Sequence, residues 1–329
     1  MPNYKTDYDS IRKVFWDGKI RKTQYEWGDP GIKIAIKRAF ADLTARTMTR
    51  RKDVVGTENE IKNNEFHEKI CEEPYLFLDK IKEWFEADHS SAEEKEGLYD
   101  VWHGEACEIV IAFLKTQYVE ADATYGKAQK IVNMTMKNLF CLEGAREHDD
   151  NGKFDCCHMA LDSFTLEWFW RSCGGYAGCC RESGKTDKKI YKGMIGSWSK
   201  IKNPKGKDTF TVTVEKNSGK TEKKEFYTYD FFVKAIRNYF DSSENKYNGL
   251  NAFKAEFYIW PEIQLHLAAE AVILQLNEDY HDDSEEPLSE NGGKKKTDEK
   301  ELKEKSIEEK LKEMKEAIDE HLKALEVNS

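Results

Sequence analysis

The sequence lacks long hydrophobic runs. None of its apolar stretches approaches the roughly 18 residues that a membrane-spanning helix needs. The first residues, Met1 to Lys5, are polar and do not form the apolar core of a signal peptide. We therefore expect a cytoplasmic protein without a membrane partner, in which the eight cysteines are reduced thiols rather than a disulfide framework.

The motifs of several enzyme classes are also absent. The chain contains no Walker loop, no HExxH, no GxSxG and no dinucleotide-binding fingerprint. Their absence argues against nucleotide hydrolases, metalloproteases, esterases and dehydrogenases.

Soft metal ligands are present but lack the spacing of a metal site. Six of them fall within one short region: Cys156, Cys157, His158, Cys173, Cys179 and Cys180. Adjacent cysteines are poorly placed to chelate one ion, and the four-cysteine spacing of an iron–sulfur cluster is missing. The sequence therefore predicts neither a metal nor an organic cofactor.

Charge is unevenly distributed along a chain whose net charge is -10. Residues 1–52 carry 13 Lys and Arg against 6 Asp and Glu, and residues 185–224 carry 12 against 4. Residues 281–329 carry 10 against 16. Phosphate contacts depend on such local surpluses rather than on the total charge. The basic stretches indicate either nucleic-acid contacts or solvated loops.

Apolar periodicity predicts a mainly α-helical domain over residues 1–281. Helical spacing covers these stretches: 31–48, 58–87 with a break near Glu73, 97–120, 127–142, 162–171, 231–240 and 253–276, the last interrupted by Pro261. Alternation over Thr209–Lys216 and Glu225–Tyr229 predicts a β-hairpin, an insertion of about residues 205–230. A linker over 282–301 and a charged amphipathic helix over 302–329 follow, and that helix is expected to dock on the domain or to self-associate as a coiled coil.

One pattern points to chemistry. A glycine turn at Gly126 leads into a helix that carries Lys127 and Lys130, and an apolar run ends about thirty residues later at Asp162, which opens another helix. A DNA glycosylase with lyase activity needs an amine nucleophile and a carboxylate that stabilises the cationic sugar. The glycine turn and the first amides of a helix are suited to binding a phosphate.

The residues Gly126 to Val132, followed by Lys137 and the apolar approach to Asp162, resemble the helix-hairpin-helix DNA glycosylase superfamily. The resemblance is closest to the archaeal 8-oxoguanine branch and covers about residues 124–166. In that branch a Gln-Lys pair opens a helix with a second Lys seven residues on, as Gln129, Lys130 and Lys137 do here. The chain departs from the family in having a single glycine in its hairpin and Ser163 and Phe164 after the aspartate.

The resemblance implies that the helical domain over residues 1–281 is two-lobed and helix-hairpin-helix in arrangement. It also implies a glycosylase that flips a damaged or modified base out of double-stranded DNA. Lys130 would be the Schiff-base nucleophile, with Lys127 as the alternative, and Asp162 the essential carboxylate. The predicted DNA contacts are Thr124, Tyr125, Gly126, Lys127 and Gln129, and the predicted base-pocket residues are Trp168, Trp198 and His158.

Other interpretations of the same residues stay open. Asp162 is also a good helix N-cap, and the two lysines are also compatible with a solvent-facing helix surface. The chain would then be a non-enzymatic nucleic-acid-binding or protein-interaction module. A glycosidase that acts on RNA or on nucleosides is a third interpretation, because it shares the chemistry without needing a duplex.

Overall fold

The computed structural model describes residues 7, 9–12, 25–47, 75–88, 91–118, 123–174, 192–215, 220–243, 245–247 and 249–282. The chain divides into two compact units, one of residues 1–2 and 6–257 and one of residues 3–5 and 258–329. The second unit is described over 258–282, where it is helical. The first part of the predicted helical stretch at 58–87, the hairpin turn, the linker and the C-terminal helix over 302–329 lie outside the described residues.

The described part of the chain is mainly α-helical, as predicted. Its α-helices are α1 (Asp29–Thr47), α2 (Tyr75–Glu86), α3 (Ala92–Gln117), α4 (Tyr125–Phe140), α5 (Ser163–Phe169), α6 (Tyr229–Phe240) and α7 (Ala252–Asp282). Short 3₁₀ turns lie at Ala145–His148, Lys192–Met194 and Trp198–Lys200, and a π turn lies at Trp170–Gly174. Residues 9–12 are also helical.

The strands β1 (Thr209–Glu215) and β2 (Thr221–Tyr227) form an antiparallel hairpin in which Thr209 pairs with Tyr227. The first strand agrees with the prediction. The return strand begins four residues earlier than predicted, because its first half is polar and gives no apolar alternation. It ends two residues earlier, because Thr228 is the N-cap of α6 and Tyr229 its first residue.

The helix α4 lies at the centre of the first unit. Nearly all of its residues from Gly126 onward are buried, and α1 and α3 both pack against it. The Asn138 side chain donates from Nδ2 to the Ala35 carbonyl of α1 at 3.1 Å. At the C-terminal end of α4, Phe140 contacts Phe253 and Phe257 of α7, with ring centroids 5.6 and 5.3 Å away. A helix buried on all sides has no solvent-facing surface, so its polar residues need partners inside the protein.

Candidate active site

A polar stripe runs along one side of α4. Gln129, Asn133 and Lys137 recur every four residues, which places their side chains on one helix face. All three are buried, and Gln129 is completely so. Burying polar groups costs free energy unless hydrogen bonds satisfy them, so the partners of this stripe determine what it does.

The partner of the stripe is the segment from Met159 to Asp162, which belongs to neither a helix nor a strand. Gln129 donates from Nε2 to the Leu161 carbonyl at 2.7 Å and accepts the Leu161 amide at Oε1 at 3.1 Å. Asn133 donates from Nδ2 to the Met159 carbonyl at 3.1 Å. Side chains of α4 therefore satisfy backbone groups that would otherwise be buried without partners.

Lys137 holds the middle of this segment through a carboxylate. Its Nζ lies 3.0 Å from Glu256 Oε1, and both side chains are only 3% exposed. The other carboxylate oxygen, Oε2, accepts the Ala160 amide at 2.9 Å. Burial raises the pKa of Glu256, while the charge of Lys137 and the Ala160 amide oppose that rise. The position of Ala160 thus depends on an ion pair that the solvent does not reach.

Asp162 begins α5 as its N-cap. Its Oδ1 accepts the amides of Phe164 and Thr165 at 2.9 and 3.0 Å. The Thr165 hydroxyl accepts the Asp162 amide at 2.7 Å, which completes a capping box, and donates to the Ala160 carbonyl at 2.7 Å. The cap therefore uses one carboxylate oxygen, and the other, Oδ2, points to a different partner.

That partner is Lys130. Its Nζ lies 3.3 Å from Asp162 Oδ2, and the two side chains are 17% and 9% exposed. The ring of Trp198 lies against the ammonium, with its centroid 4.9 Å from Nζ. An amine, a carboxylate and an aromatic face thus meet where solvent has partial access. Lys127, the alternative nucleophile, is buried and engaged within the protein.

The predicted phosphate contact of Gly126 is corrected by the structure. The Gly126 amide donates to the Ile201 carbonyl at 3.0 Å. A Cβ atom on Gly126 would lie 2.0 Å from the carbonyl oxygen of Trp198. Glycine is required here because the backbone of residues 198–201 crosses the start of α4, and not because a ligand does.

Three more of the predicted DNA contacts are directed into the protein. The Thr124 side chain caps α4 by accepting the Lys127 amide at 3.3 Å, and it donates to the Ser199 carbonyl at 2.6 Å. Gln129 is the fully buried member of the stripe. The half-buried Tyr125 ring packs against the Tyr229 ring, with centroids 5.3 Å apart. Within the protein these three side chains have packing and capping roles, and their contacts with DNA stay a prediction.

The three predicted base-pocket residues lie in different surroundings. Trp198 is the aromatic neighbour of Lys130, as described above. Trp168 is buried, with its ring centroid 5.6 Å from that of Tyr239, and is part of the core. His158 is buried immediately before the segment from Met159 to Asp162 and belongs to a separate polar network.

This network begins at the surface. His158 Nε2 lies 2.7 Å from Asp100 Oδ1, and His158 Nδ1 lies 3.0 Å from the Tyr229 hydroxyl oxygen. Arg237 donates to both oxygens of Asp100, from Nη1 at 2.9 Å and from Nη2 at 2.8 Å. Asp100 is the exposed end of the network, and the buried His158 connects it to residues of the core.

The inner end of the network reaches the polar stripe. The Tyr229 hydroxyl accepts from Asn133 Nδ2 at 2.9 Å, and His103 Nε2 lies 3.0 Å from Asn133 Oδ1. The rings of His103 and Tyr229 are stacked, with centroids 5.1 Å apart. No local sequence pattern indicates this network, because its members come from four distant parts of the chain.

Burial lowers the pKa of both histidines, and for His103 the charge of His158 adds to that effect. Burial also opposes ionisation of Asp100, but hydrogen bonds from His158 and Arg237 outweigh it and hold the pKa of that carboxyl below its usual range. At neutral pH the network therefore contains neutral histidines beside an ionised Asp100–Arg237 pair. Tyr229 is fully buried, so we assign the network a structural role, fixing His158 and hence the segment that leads to Asp162.

In the described part of the chain, no group of three or more His, Cys, Asp or Glu side chains is arranged so that it could hold a metal ion. Cys156 and Cys157 are buried thiols, and burial raises the pKa of Cys156 to about 12. Cys179 and Cys180 lie outside the described residues.

A cavity of about 570 Å³ lies beside Cys157, which is one of its lining residues. Its walls include Asp155, Arg237, Phe240 and Asn251. Neither Lys130 nor Asp162 lines it. The lysine–aspartate pair is therefore the candidate active site and the cavity is not, because a reaction needs a nucleophile and an acid–base group in contact.

The close approach at Gly126 leads to a first prediction. Gly126→Ala is expected to lower the free energy of unfolding by about 1–3 kcal/mol, because the new methyl group must displace a backbone carbonyl. Gly104→Ala in α3, where a Cβ meets nothing within 4 Å, should instead raise it by about 0.5–1 kcal/mol. Urea unfolding curves of the two variants measure both changes. Shifts of the same sign would contradict the assigned contact.

No family model, curated protein or solved structure matches this chain. Among the described residues, the helices are too short or too polar to cross a lipid bilayer.

Proposed function

We propose that this chain is a DNA glycosylase with lyase activity that acts on a damaged or modified base in double-stranded DNA. The observation that supports the proposal is the contact between Lys130 Nζ and Asp162 Oδ2 at 3.3 Å, in a partly exposed position beside Trp198. The two-lobed helix-hairpin-helix arrangement and the cytoplasmic location are parts of the same proposal.

The reaction uses the two side chains as follows. Asp162 Oδ2 accepts a proton from the Lys130 ammonium, and the resulting amine attacks the sugar carbon C1′. The bond between C1′ and the base breaks, and the base leaves with the bonding electron pair and takes up a proton. The attached nitrogen then loses a proton, its lone pair forms the C1′=N bond as the C1′–O4′ bond breaks, and O4′ takes up a proton, which leaves a protonated imine between Lys130 and C1′. Loss of a proton from C2′ expels the 3′ phosphate, and water later releases the lysine.

The cap of α5 is compatible with this chemistry. Asp162 binds the helix amides through Oδ1, which fixes the carboxylate and leaves Oδ2 for the proton transfer. A fixed carboxylate also stabilises positive charge at C1′ without reorganising during the reaction. The Trp198 ring supplies a surface on which an extruded nucleotide can stack.

Borohydride trapping tests the proposal. Borohydride reduces the imine and links protein to DNA, so duplexes with oxidised, deaminated, alkylated or hypermodified bases are incubated with the protein and the adduct is measured. Wild type and Lys127→Gln should form the adduct, and Lys130→Gln should reduce it by at least about 100-fold, because general-base and nucleophile contributions are of this order or larger. Lys115→Gln, an exposed lysine on α3, is the surface control.

The other outcomes are equally informative. If the adduct is lost in Lys127→Gln and kept in Lys130→Gln, Lys127 and not Lys130 is the nucleophile. Base release without an adduct, abolished in Asp162→Asn, would indicate a glycosylase without lyase activity. If wild type releases no base from any of these duplexes, the proposed activity is refuted.

One observation favours a second candidate function. Asp162 is a complete N-cap with a full capping box, so its presence is explained without catalysis. In that case the Lys130 ammonium only neutralises the charge of the Asp162 carboxylate. The chain is then a non-enzymatic nucleic-acid-binding or protein-interaction module. Binding of nucleic acid with no base release is the result that separates this candidate from the enzyme.

A further inference from the structure

The segment from Trp198 to Asp208, which we call the strap, crosses the start of α4 and continues into β1. Its first half is fixed to α4 by the two hydrogen bonds described above, from Thr124 to the Ser199 carbonyl and from Gly126 to the Ile201 carbonyl. Its first residue, Trp198, is the aromatic neighbour of Lys130. One end of the strap is therefore a wall of the candidate active site.

The second half of the strap is fixed to α6 and to the residue before it. The Tyr229 amide donates to the Lys202 carbonyl at 3.2 Å. Asn203 and Asp230 exchange two hydrogen bonds, one from Asn203 Nδ2 at 2.8 Å and one from the Asp230 amide at 3.1 Å. The Thr228 hydroxyl donates to the Lys207 carbonyl at 2.7 Å. Because its backbone is held at both ends, the strap loses little conformational entropy when it binds a partner.

The side chains that the strap presents to solvent are basic. Lys200, Lys202, Lys205 and Lys207 are all exposed. The acidic residue of the strap is Asp208, whose Oδ1 lies 3.9 Å from the ammonium of Lys234. Four lysines against one aspartate form a local positive surface on a chain whose net charge is -10. Such a surface attracts polyanions even when the whole protein is acidic.

We propose that the strap is the surface that docks the phosphate backbone of duplex DNA beside the candidate active site. This inference rests on the proposed function, because the duplex is the polyanion that the Lys130–Asp162 chemistry would need. The strap connects the candidate active site with the docked duplex. Its first residue touches Lys130, and the lysines that follow bind the phosphates next to the reacting nucleotide. It replaces the phosphate contact that the sequence had suggested for Gly126, whose amide is occupied by the strap itself.

The test compares two triple variants of equal charge change. Lys200→Gln, Lys205→Gln and Lys207→Gln together remove three strap charges, while Lys202 is kept because its ammonium packs 5.8 Å from the centroid of the Phe210 ring. The control removes three lysines of other elements: Lys82, Lys115 and Lys246, each changed to Gln. Binding to a labelled 20-base-pair duplex is measured by fluorescence anisotropy at several salt concentrations.

The strap variant should bind the duplex at least about 10-fold more weakly at low salt, because each neutralised phosphate contributes a counterion-release term. The slope of log affinity against log salt should become shallower by about 1 for each lysine removed. The control should keep the wild-type affinity and slope. Equal losses in the two variants, or no duplex binding by wild type, would overturn the inference.

Failure of this inference can be distinguished from failure of the proposed function. If wild type binds duplex through the strap but releases no base, the docking surface stands and the glycosylase is refuted. If wild type releases a base and the strap variant does so with an unchanged KM, the glycosylase stands and the docking surface is refuted. When both hold, the strap variant should show a raised KM and an unchanged rate at saturating DNA, because its lysines do not touch the reacting atoms.

Discussion

Lys137→Met is expected to lower the free energy of unfolding by about 3–5 kcal/mol, because it leaves a buried carboxylate without its counter-charge. Glu256 is 3% exposed and lies 3.0 Å from the lysine ammonium, so water cannot replace the lost partner. The side chain of methionine is similar in length, which separates the loss of charge from the loss of packing. Urea unfolding followed by circular dichroism measures the change.

A second substitution provides the control. Adding Glu256→Gln to Lys137→Met removes the unpaired charge while leaving an oxygen that accepts the Ala160 amide, so most of the lost stability should return. If the double variant is as unstable as the single one, packing rather than charge explains the effect.

The same pair predicts how the single variant responds to pH. Burial already raises the pKa of Glu256, and loss of Lys137 raises it further. A raised pKa means that the folded protein binds the proton more tightly than the unfolded chain does, which adds stability at low pH and removes it as the pH rises through the folded value. The loss of unfolding free energy that Lys137→Met causes, relative to wild type, should therefore be smaller at pH 5 than at pH 7.

Gln129→Leu is expected to have an effect of similar size, about 2–6 kcal/mol. The leucine has a similar volume but cannot bond the amide and carbonyl of Leu161, and each buried unpaired group costs about 1–3 kcal/mol. Gln264→Leu, at a partly exposed position of α7, should change stability by less than about 0.5 kcal/mol. Thermal and urea unfolding compare the two, and equal effects would contradict the assigned role of Gln129.

The helices were largely predictable from the sequence, because apolar periodicity is a local property. The predicted starts and ends of α1, α3 and α4 differ from the observed ones by a few residues. The interior of α4 was harder, since Gln129 and Lys137 look like surface residues in a single sequence. Their partners lie 32 and 119 residues away, and no local pattern reveals such contacts.

In the candidate site, too, the sequence predicts the roles of some residues and not of others. The pairing of Lys130 with Asp162 could be anticipated, because a turn, a helix and a capping aspartate are local signals that a family pattern connects. The role of Gly126 could not, because the atom that requires a glycine there belongs to Trp198, 72 residues further along. A glycine that admits a phosphate and one that admits the chain's own backbone are identical in sequence.

The segment from Met159 to Asp162 has a further consequence for association between chains. An ordinary strand at the edge of a sheet presents a row of unpaired amides and carbonyls that a second molecule can extend. Here the carbonyls of Met159, Ala160 and Leu161 and the amides of Ala160, Leu161 and Asp162 are already bonded to side chains. These groups lie in the interior and become available to a second chain only when the protein opens. Closing that opening restores six hydrogen bonds at once, so the side chains of this region oppose intermolecular β-pairing of an apolar stretch without building a sheet around it.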